Sequence, residues 1–398
     1  ALFLSSESSF KFWIMNRSGC GKNIKELSED RNSALKINTG KGNSTSNTEG
    51  FDKFLEKKRK KISEDEFVNG ITSGDRVTLG RAITLIESRR SDDNELSKKI
   101  INRCLPLSGN SVRIGITGVP GAGKSTFIEA FGLYLLSLGK KVAVMAVDPS
   151  SSKTGGSLMG DKTRMERLSG HKNVFIRPSA TSGFLGGVNR ATREAVILTE
   201  AAGYDVILIE TVGVGQSEVL VHSMADFFLL LQIAGAGDEL QGIKKGIMEM
   251  ADAIAVTKTD GDNVLKAEMC KKELENALHY SLNSDKDWSV PVITVSSLEN
   301  RSVDEVWRIV SSYISVMKGN GRFGLKRKQQ VSDWLRSTIR STLENEFYND
   351  PEIRNILPSF ENEVLEGKMS PVTAVEELIR AFRSEERRVG KECFVPCR

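Results

Sequence analysis

The chain has 398 residues, 39% hydrophobic and 27% charged, enough for a full α/β domain and one or two smaller units. Its net charge of +4 misleads, because residues 1–61 carry 13 Lys/Arg against 7 Asp/Glu while residues 62–382 sum to −4. A mildly acidic body argues against nucleic-acid binding, no apolar run reaches the length of a membrane span, and five scattered cysteines argue against a disulfide framework and for a reducing compartment.

Residues 1–50 are rich in Ser, Asn, Gly and Lys, have no sustained period, and are expected to be disordered. The chain opens on Ala1, which reads as a fragment or as sequence upstream of a start at Met15. Residues 1–24 hold one acid, Glu7, with three bases and a Phe/Trp cluster. That is loosely like a mitochondrial transit peptide, though without a clear amphipathic helix. The expected location is cytoplasmic, of bacterial type, or the mitochondrial matrix if residues 1–50 include such a peptide.

Residues 51–107 read as an N-terminal helical segment. Lys57–Lys61 is a basic run beside acidic Glu64–Glu66, expected to be a solvated helix face. Ser63 and Glu66 form a capping box by spacing, and Leu79, Ile83 and Ile86 recur on one face of the next helix. Pro106 and Ser108–Asn110 make a linker.

Residues 108–318 alternate strands and helices. The expected strands are Val112–Thr117, Lys141–Val147, Asn173–Arg177, Asp205–Glu210, Phe227–Ile233, Ala253–Thr257 and Val292–Ser296. Several are nearly all apolar, as in a parallel sheet covered on both faces, so the fold class is a doubly wound, mostly parallel α/β domain of the P-loop NTPase kind.

Residues 319–382 turn helical again. Trp334, Leu335, Ile339, Leu343 and Phe347 give one long amphipathic helix stopped near Asn349–Pro351, and two shorter helices follow through Phe382. Such an arm needs a partner to bury its apolar face, and a second subunit is the expected one. Residues 383–398 break the pattern and can be read as one frame of a sequencing-adapter DNA. They are taken as an artefactual tail, and Cys393 and Cys397 are assigned no function.

Chemistry concentrates in five segments. Gly118-Val-Pro-Gly121-Ala122-Gly123-Lys124-Ser125 matches the P-loop pattern, with a strand before it and a helix from Thr126 after it. Its glycines let backbone N–H groups reach phosphate oxygens, Lys124 reaches the β- and γ-phosphates, and Ser125 ligates Mg²⁺. Next, the strand ending in Glu210 is followed by Gly213. That spacing puts a carboxylate near Mg²⁺ and a glycine backbone near the γ-phosphate. Thr257-Lys258-Thr-Asp260 matches the guanine-reading pattern, although most GTPases carry Asn where Thr257 stands. The Asp260 carboxylate can accept from guanine N1–H and N2–H₂, a donor pair adenine lacks, and Lys258 lies across the base. Ser296 and Ser297 suit the loop whose backbone contacts the guanine O6. Asp148, with Asp161 and Arg164 downstream, offers metal or water-positioning groups, or else simple helix caps. Gly235–Lys244, holding Asp238, Gln241 and Lys244, is a Gly-rich charged loop, either responsive to the nucleotide or plain surface.

Together these segments resemble the MeaB/ArgK family, called MMAA in animals: P-loop GTPases of the SIMIBI class that serve as chaperones for adenosylcobalamin-dependent methylmalonyl-CoA mutase. The resemblance runs from about Phe51 to Phe382, and Glu210–Glu218 and Gly237–Lys244 are its most characteristic stretches. It implies a switch I over 148–164, with Asp148 and Asp161 near Mg²⁺ and Arg164 near the phosphates. It implies a switch II over 210–222, with Glu210 at the metal. It also implies a third switch at 235–244, whose Asp238, Gln241 and Lys244 couple the nucleotide state to the mutase, and a C-terminal dimerisation arm. Ser297 stands where the family usually has Ala. The implied cofactors are GTP/GDP and Mg²⁺, and the implied partners are the mutase and a second copy of the chain. Three distant histidines, His171, His222 and His279, make no nickel-type site. The competing reading is a small-molecule kinase or transport-associated ATPase of the ArgK type, which the Asp260 preference for GTP opposes.

Overall fold

The computed structural model describes residues 62–88, 90–147, 165–177, 185–211, 217–234, 245–279 and 287–392. Three helices lead: α1 (Glu64–Thr72), α2 (Arg76–Ile86) and α3 (Ser91–Cys104). The capping box holds, since Ser63 Oγ accepts from Glu66 N (3.2 Å) while Ser63 N donates to Glu66 Oε2 (2.9 Å). Leu79, Ile83 and Ile86 are buried on one face of α2, as their spacing predicts.

The central domain then alternates. The strands are β1 (Val112–Gly118), β2 (Val142–Val147), β3 (Val174–Arg177), β4 (Val206–Thr211), β5 (Phe227–Ile233), β6 (Ala253–Thr257) and β7 (Val292–Thr294). The helices among and after them are α4 (Lys124–Ser137), α5 (Glu166–Ser169), α6 (Leu185–Ala201), α7 (Ser217–His222), α8 (Lys245–Met250), α9 (Val264–His279) and α10 (Val303–Gly319). The arm is α11 (Arg322–Asn349), α12 (Pro351–Leu365) and α13 (Pro371–Glu392).

The seven strands form one sheet in the order β3-β2-β4-β1-β5-β6-β7, with every neighbouring pair parallel. Alternate residues therefore face opposite layers. Ile114, Ile116, Leu208 and Leu229 pack with Phe127, Ile128 and Phe131 of α4 and Val310 of α10. Ile207, Ile209 and Phe228 pack on the other face with Ile83 of α2, Ile100 of α3 and Leu198 of α6. Burying each such side chain contributes roughly 1.5–3 kcal/mol, so the leading helices are part of the body and not an appendage.

Three boundaries depart from the sequence reading by more than one residue. The P-loop helix starts at Lys124 and not Thr126, because the turn into it is completed by Gly123 at φ +77°. β7 ends at Thr294 and not Ser296, because Ser296 leaves the parallel ladder to pair with Arg301. The last helix does not stop at Phe382 but runs to Glu392.

The arm is welded to the lower edge of the sheet by buried charges. Asp226, 1% exposed, receives a bidentate pair from Arg327 (Nε to Oδ1, 2.8 Å; Nη2 to Oδ2, 2.7 Å) and a bond from Arg113 N (2.9 Å). Arg327 also reaches the carbonyls of Gly109 and Ser111. Beside it, the fully buried Glu200 side chain takes both Arg113 Nε and Nη2 at 2.8 Å. Burial alone would raise the Glu200 carboxyl, but Arg113, Ser111 and Gly109 outweigh it and hold it below the usual carboxylate value. Its stabilisation is therefore present at neutral pH and lost as pH falls through that lowered value.

Trp334 also differs from the expected stripe. It turns inward onto the body, with the Arg193 guanidinium 5.8 Å from its ring, while Leu335, Ile339 and Leu343 are 62%, 51% and 56% exposed. Burial, with Arg113 nearby, pulls Arg193 down to about 10. Replacing Arg327 by Ala is expected to strip a buried carboxylate of its cation and destabilise the protein by about 3–5 kcal/mol, read by denaturant unfolding. A loss below ~1 kcal/mol would mean that the junction is not structural.

Candidate functional site

The carboxyl ends of β1, β4, β5 and β6 meet at one edge of the sheet, where such folds bind ligands. β1 runs into the phosphate loop. A β-carbon at Gly118 (φ +156°) would overlap the Leu231 carbonyl oxygen and stand 3.1 Å from the Leu231 β-carbon, so only glycine lets β1 lie this close to β5 there. Gly121 and Gly123, at φ +81° and +77°, turn the chain into α4. Ala122 is buried, while Thr126, one turn into the helix, is exposed.

Lys124 is buried and folds back, with Nζ donating to Gly118 O (2.9 Å) and Val119 O (3.3 Å). Burial lowers its ammonium below the usual lysine value, and Glu210 and Glu218 partly offset this. An ammonium held by carbonyls at the mouth of a loop is positioned to be claimed by a more anionic ligand. Ser125 Oγ donates to Glu210 Oε1 across 3.3 Å, linking the first turn of α4 to the end of β4. Among the described residues no cluster of three His, Cys, Asp or Glu could hold a metal by itself. A hydroxyl and a carboxylate oxygen side by side suit Mg²⁺, which takes one or two protein oxygens and fills its shell with phosphate and water. The donors present therefore fit that ion.

The end of β6 forms a second group. The Thr257 hydroxyl, fully inside, shares its one proton between Ala122 O (2.7 Å) and Gln232 O (2.9 Å), tying this strand to the phosphate loop. Lys258 sits exposed at φ +58°, and its carbonyl accepts from Asn263 Nδ2 (2.8 Å). Ser296 Oγ donates to Asp260 Oδ1 (3.3 Å), leaving that carboxylate with its second oxygen for a base edge. Ser297 is half-buried next to it.

The structure thus brings together Gly118, Gly121, Ala122, Gly123, Lys124, Ser125, Glu210, Thr257, Lys258, Asp260, Ser296 and Ser297. Asp148, Asp161, Arg164, Gly213, Asp238, Gln241 and Lys244 lie outside the described residues. Sequence reasoning missed Arg301, whose Nη2 holds the Thr259 carbonyl at 2.6 Å, and the buried Thr117–Thr211 hydroxyl pair (3.0 Å) joining β1 to β4. A threonine near the carboxyl end of each of two neighbouring strands, at 117 and 211, was a visible signal. Arg301 gave none.

Fold and site together define a P-loop nucleotide-binding protein that carries a guanine-selective pattern. The family profile described as "Methylmalonyl Co-A mutase-associated GTPase MeaB" matches residues 79–352. A probable GTPase of Mycobacterium tuberculosis is 47% identical over 328 residues, covering 81% of this chain and 98% of its own. The mitochondrial methylmalonic aciduria type A homolog of Mus musculus is 43% identical over 330 residues, covering 80% of each chain. The crystal structure of an LAO/AO transport system kinase superposes with a TM-score of 0.65 at 38% identity, covering 81% of this chain and 98% of that one. The chain belongs to the MeaB family of GTPases.

Two outcomes are expected. Lys124→Ala should leave the fold intact and weaken binding of a fluorescent GTP analogue by about 3 kcal/mol or more, since a partly desolvated charge pair is lost. Unchanged affinity would remove Lys124 from the phosphate site. Asp260→Asn should shift preference from GTP towards xanthosine triphosphate by roughly 10²-fold, because Asn can donate to the xanthine O2. Identical nucleotide ranking in both proteins would show that Asp260 does not read the base.

Proposed function

We propose that this GTPase works as a switch on a cobalamin-dependent acyl-CoA mutase, with methylmalonyl-CoA mutase as the client, gating the loading and protection of its adenosylcobalamin. The observation that carries this reading is a phosphate loop and a guanine-reading loop tied together by one hydroxyl, in a chain whose family is described by its association with that mutase.

In this reading Gly118–Thr126 cradle the phosphates, with Lys124 on the β- and γ-phosphoryl oxygens. Ser125 and Glu210, joined as the resemblance implies by Asp148 and Asp161, would hold Mg²⁺, which would supply charge neutralisation at those oxygens. Arg164 and the Gly213 backbone approach the γ-phosphate. Thr257, Lys258, Asp260, Ser296 and Ser297 form the base pocket. No general base is needed beside the P-loop, because phosphoryl transfer to water rests on positioning and electrostatics. A partner that completes the site would accelerate it. Asp238, Gln241 and Lys244 are assigned to that partner contact.

A dimer belongs to the same proposal. Leu335, Ile339 and Leu343 follow one another at four-residue intervals on α11 and remain in water in a single chain, which favours burial against a second copy. The other reading, a small-molecule kinase or transport-associated ATPase, is separated from this one by nucleotide preference, GTP over ATP.

The test is single-turnover GTP hydrolysis with and without methylmalonyl-CoA mutase. By linkage, a partner that prefers one nucleotide state changes nucleotide affinity by the same factor that the nucleotide changes its own binding. Lys244→Ala should keep most basal hydrolysis and lose most of the acceleration by the mutase. If wild type and variant are accelerated equally, the 235–244 loop is a passive surface. If the mutase neither binds nor accelerates the wild type, the client is another protein.

A further inference from the structure

The two loops of the base pocket come from different strands. Residues 257–260 close β6 and lead on from it, and residues 296–301 follow β7. A guanine whose O6 meets one loop and whose N1–H and N2–H₂ meet the other is read only while the loops keep a fixed spacing. The Ser296 hydroxyl reaches Asp260 Oδ1 across 3.3 Å, which is long for an O–H donor and a weak tie by itself.

Arg301 supplies a stronger tie. Its backbone closes the second loop into a ring, with Ser296 N donating to Arg301 O (3.1 Å) and Arg301 N to Ser296 O (2.9 Å). Within that ring Glu299 N donates to Ser296 Oγ (3.2 Å) and fixes the hydroxyl that faces Asp260. The Arg301 side chain then crosses to the first loop. Its Nη2 donates to Thr259 O (2.6 Å), 42 positions away, and to Glu299 Oε2 (2.6 Å). One nitrogen gives its two protons to the two loops, and the Glu299 carboxylate holds the guanidinium in that orientation. Thr259 is buried and directly precedes Asp260.

The turn that presents Arg301 is strained. Asn300 and Ser302, on either side of it, hold φ +52° and +59°, a region that residues other than glycine seldom adopt. Ser302 leads straight into α10 and makes no side-chain cap to offset the cost. Strain of this kind persists where the surroundings fix the backbone, and here it aims one arginine at the neighbouring loop.

We infer that Arg301 is a specificity-determining positioning residue, which locks the 257–260 and 296–301 loops at the spacing of a guanine edge and slows release of the bound nucleotide. This rests on the base pocket proposed above, in which Asp260 reads the base. It adds a side chain that acts through Thr259 and Ser296 and not on the base itself. The clamp is reached from solvent, since the Arg301 and Glu299 side chains are 47% and 49% exposed. Opening it frees the base end of the pocket while Thr257 still ties β6 to the phosphate loop. Loss of Arg301 is therefore felt in base selection and in release, and far less in the grip on the phosphates.

Competition of GTP and ATP against a fluorescent GTP analogue on the full chain tests this, together with the release rate of a fluorescent GDP analogue. Each variant is first shown by circular dichroism to keep the wild-type helix content. Arg301→Gln should weaken GTP by roughly tenfold and ATP by less than about twofold, the loss expected when one charge-assisted hydrogen bond disappears from the base pocket alone. Release of the GDP analogue should quicken by a similar factor. Arg301→Lys, which keeps a single donor for Thr259 O, should lie between Arg301→Gln and wild type. Arg301→Gln combined with Ser302→Gly, which relieves the turn, should stay as unselective as Arg301→Gln. Equal losses for GTP and ATP, or selectivity restored by Ser302→Gly, would make Arg301 a structural residue and overturn the inference. So would a wild-type GTP-to-ATP ratio and release rate in Arg301→Gln. If Asp260→Asn lowers that ratio and Arg301→Gln does not, the base pocket stands and the clamp falls. If neither lowers it, the base pocket falls as well.

Discussion

The close approach of β1 to β5 at Gly118 is the constraint on which the site depends. There is no room for a side chain against Leu231, and the register that follows sets Gly118 beside Leu231 and Ile116 beside Glu210. Because every pairing is parallel, the strand ends fall on one edge, and β1 stands between the strand carrying Glu210 and the strands leading to Thr257. A residue larger than glycine at 118 would push β5 away. It would also carry off the Gln232 carbonyl that helps to hold Thr257, so phosphate and base contacts would be disturbed together.

The opposite edge of the same strands is fixed by charge instead of by shape. Asp226 precedes β5 and Glu200 ends α6, and the guanidinium groups of Arg113 and Arg327 satisfy them inside the protein. Buried pairs of this kind add little net stability over an apolar contact, but breaking one is expensive, and so they specify a single arrangement. Here the arrangement specified is the direction in which α11 leaves the body, and with it the orientation of the exposed leucines that it displays.

Much of this was legible in the sequence because its signals are local. A parallel strand buried on both faces is a short apolar run, and the seven runs became seven strands. Ser63, Glu66 and the glycines of residues 118–123 act within a few residues of themselves, which is why a motif could find them. The departures have long-range causes. Ser296 leaves its strand to pair with Arg301. Trp334 sits in the α11 stripe by periodicity, yet turns to Arg193 on another helix because that guanidinium is buried there. The contacts at Asp226, an amide N–H from Arg113 and the guanidinium of Arg327, span 113 and 101 positions in sequence, beyond the reach of any periodicity. The sequence itself offers Asp148, Asp161 and Arg164 only as groups beside a P-loop, and Asp238, Gln241 and Lys244 only as members of a Gly-rich charged loop; their assignment as switches comes from the resemblance.

The three tryptophans in the described residues stand at three different joints. Trp307 lies 6.4 Å from the Phe131 ring on the helix that follows the phosphate loop. Trp288 donates its indole N–H to the Asp252 carbonyl just ahead of β6, and Trp334 has a guanidinium over its ring. Indole emission responds to nearby charge and to the polarity of its surroundings, so the molecule carries its own optical labels. Variants that keep one of these indoles at a time would report separately on the phosphate end, the base-reading strand and the root of the arm, with no dye attached to any of the surfaces a partner has to touch.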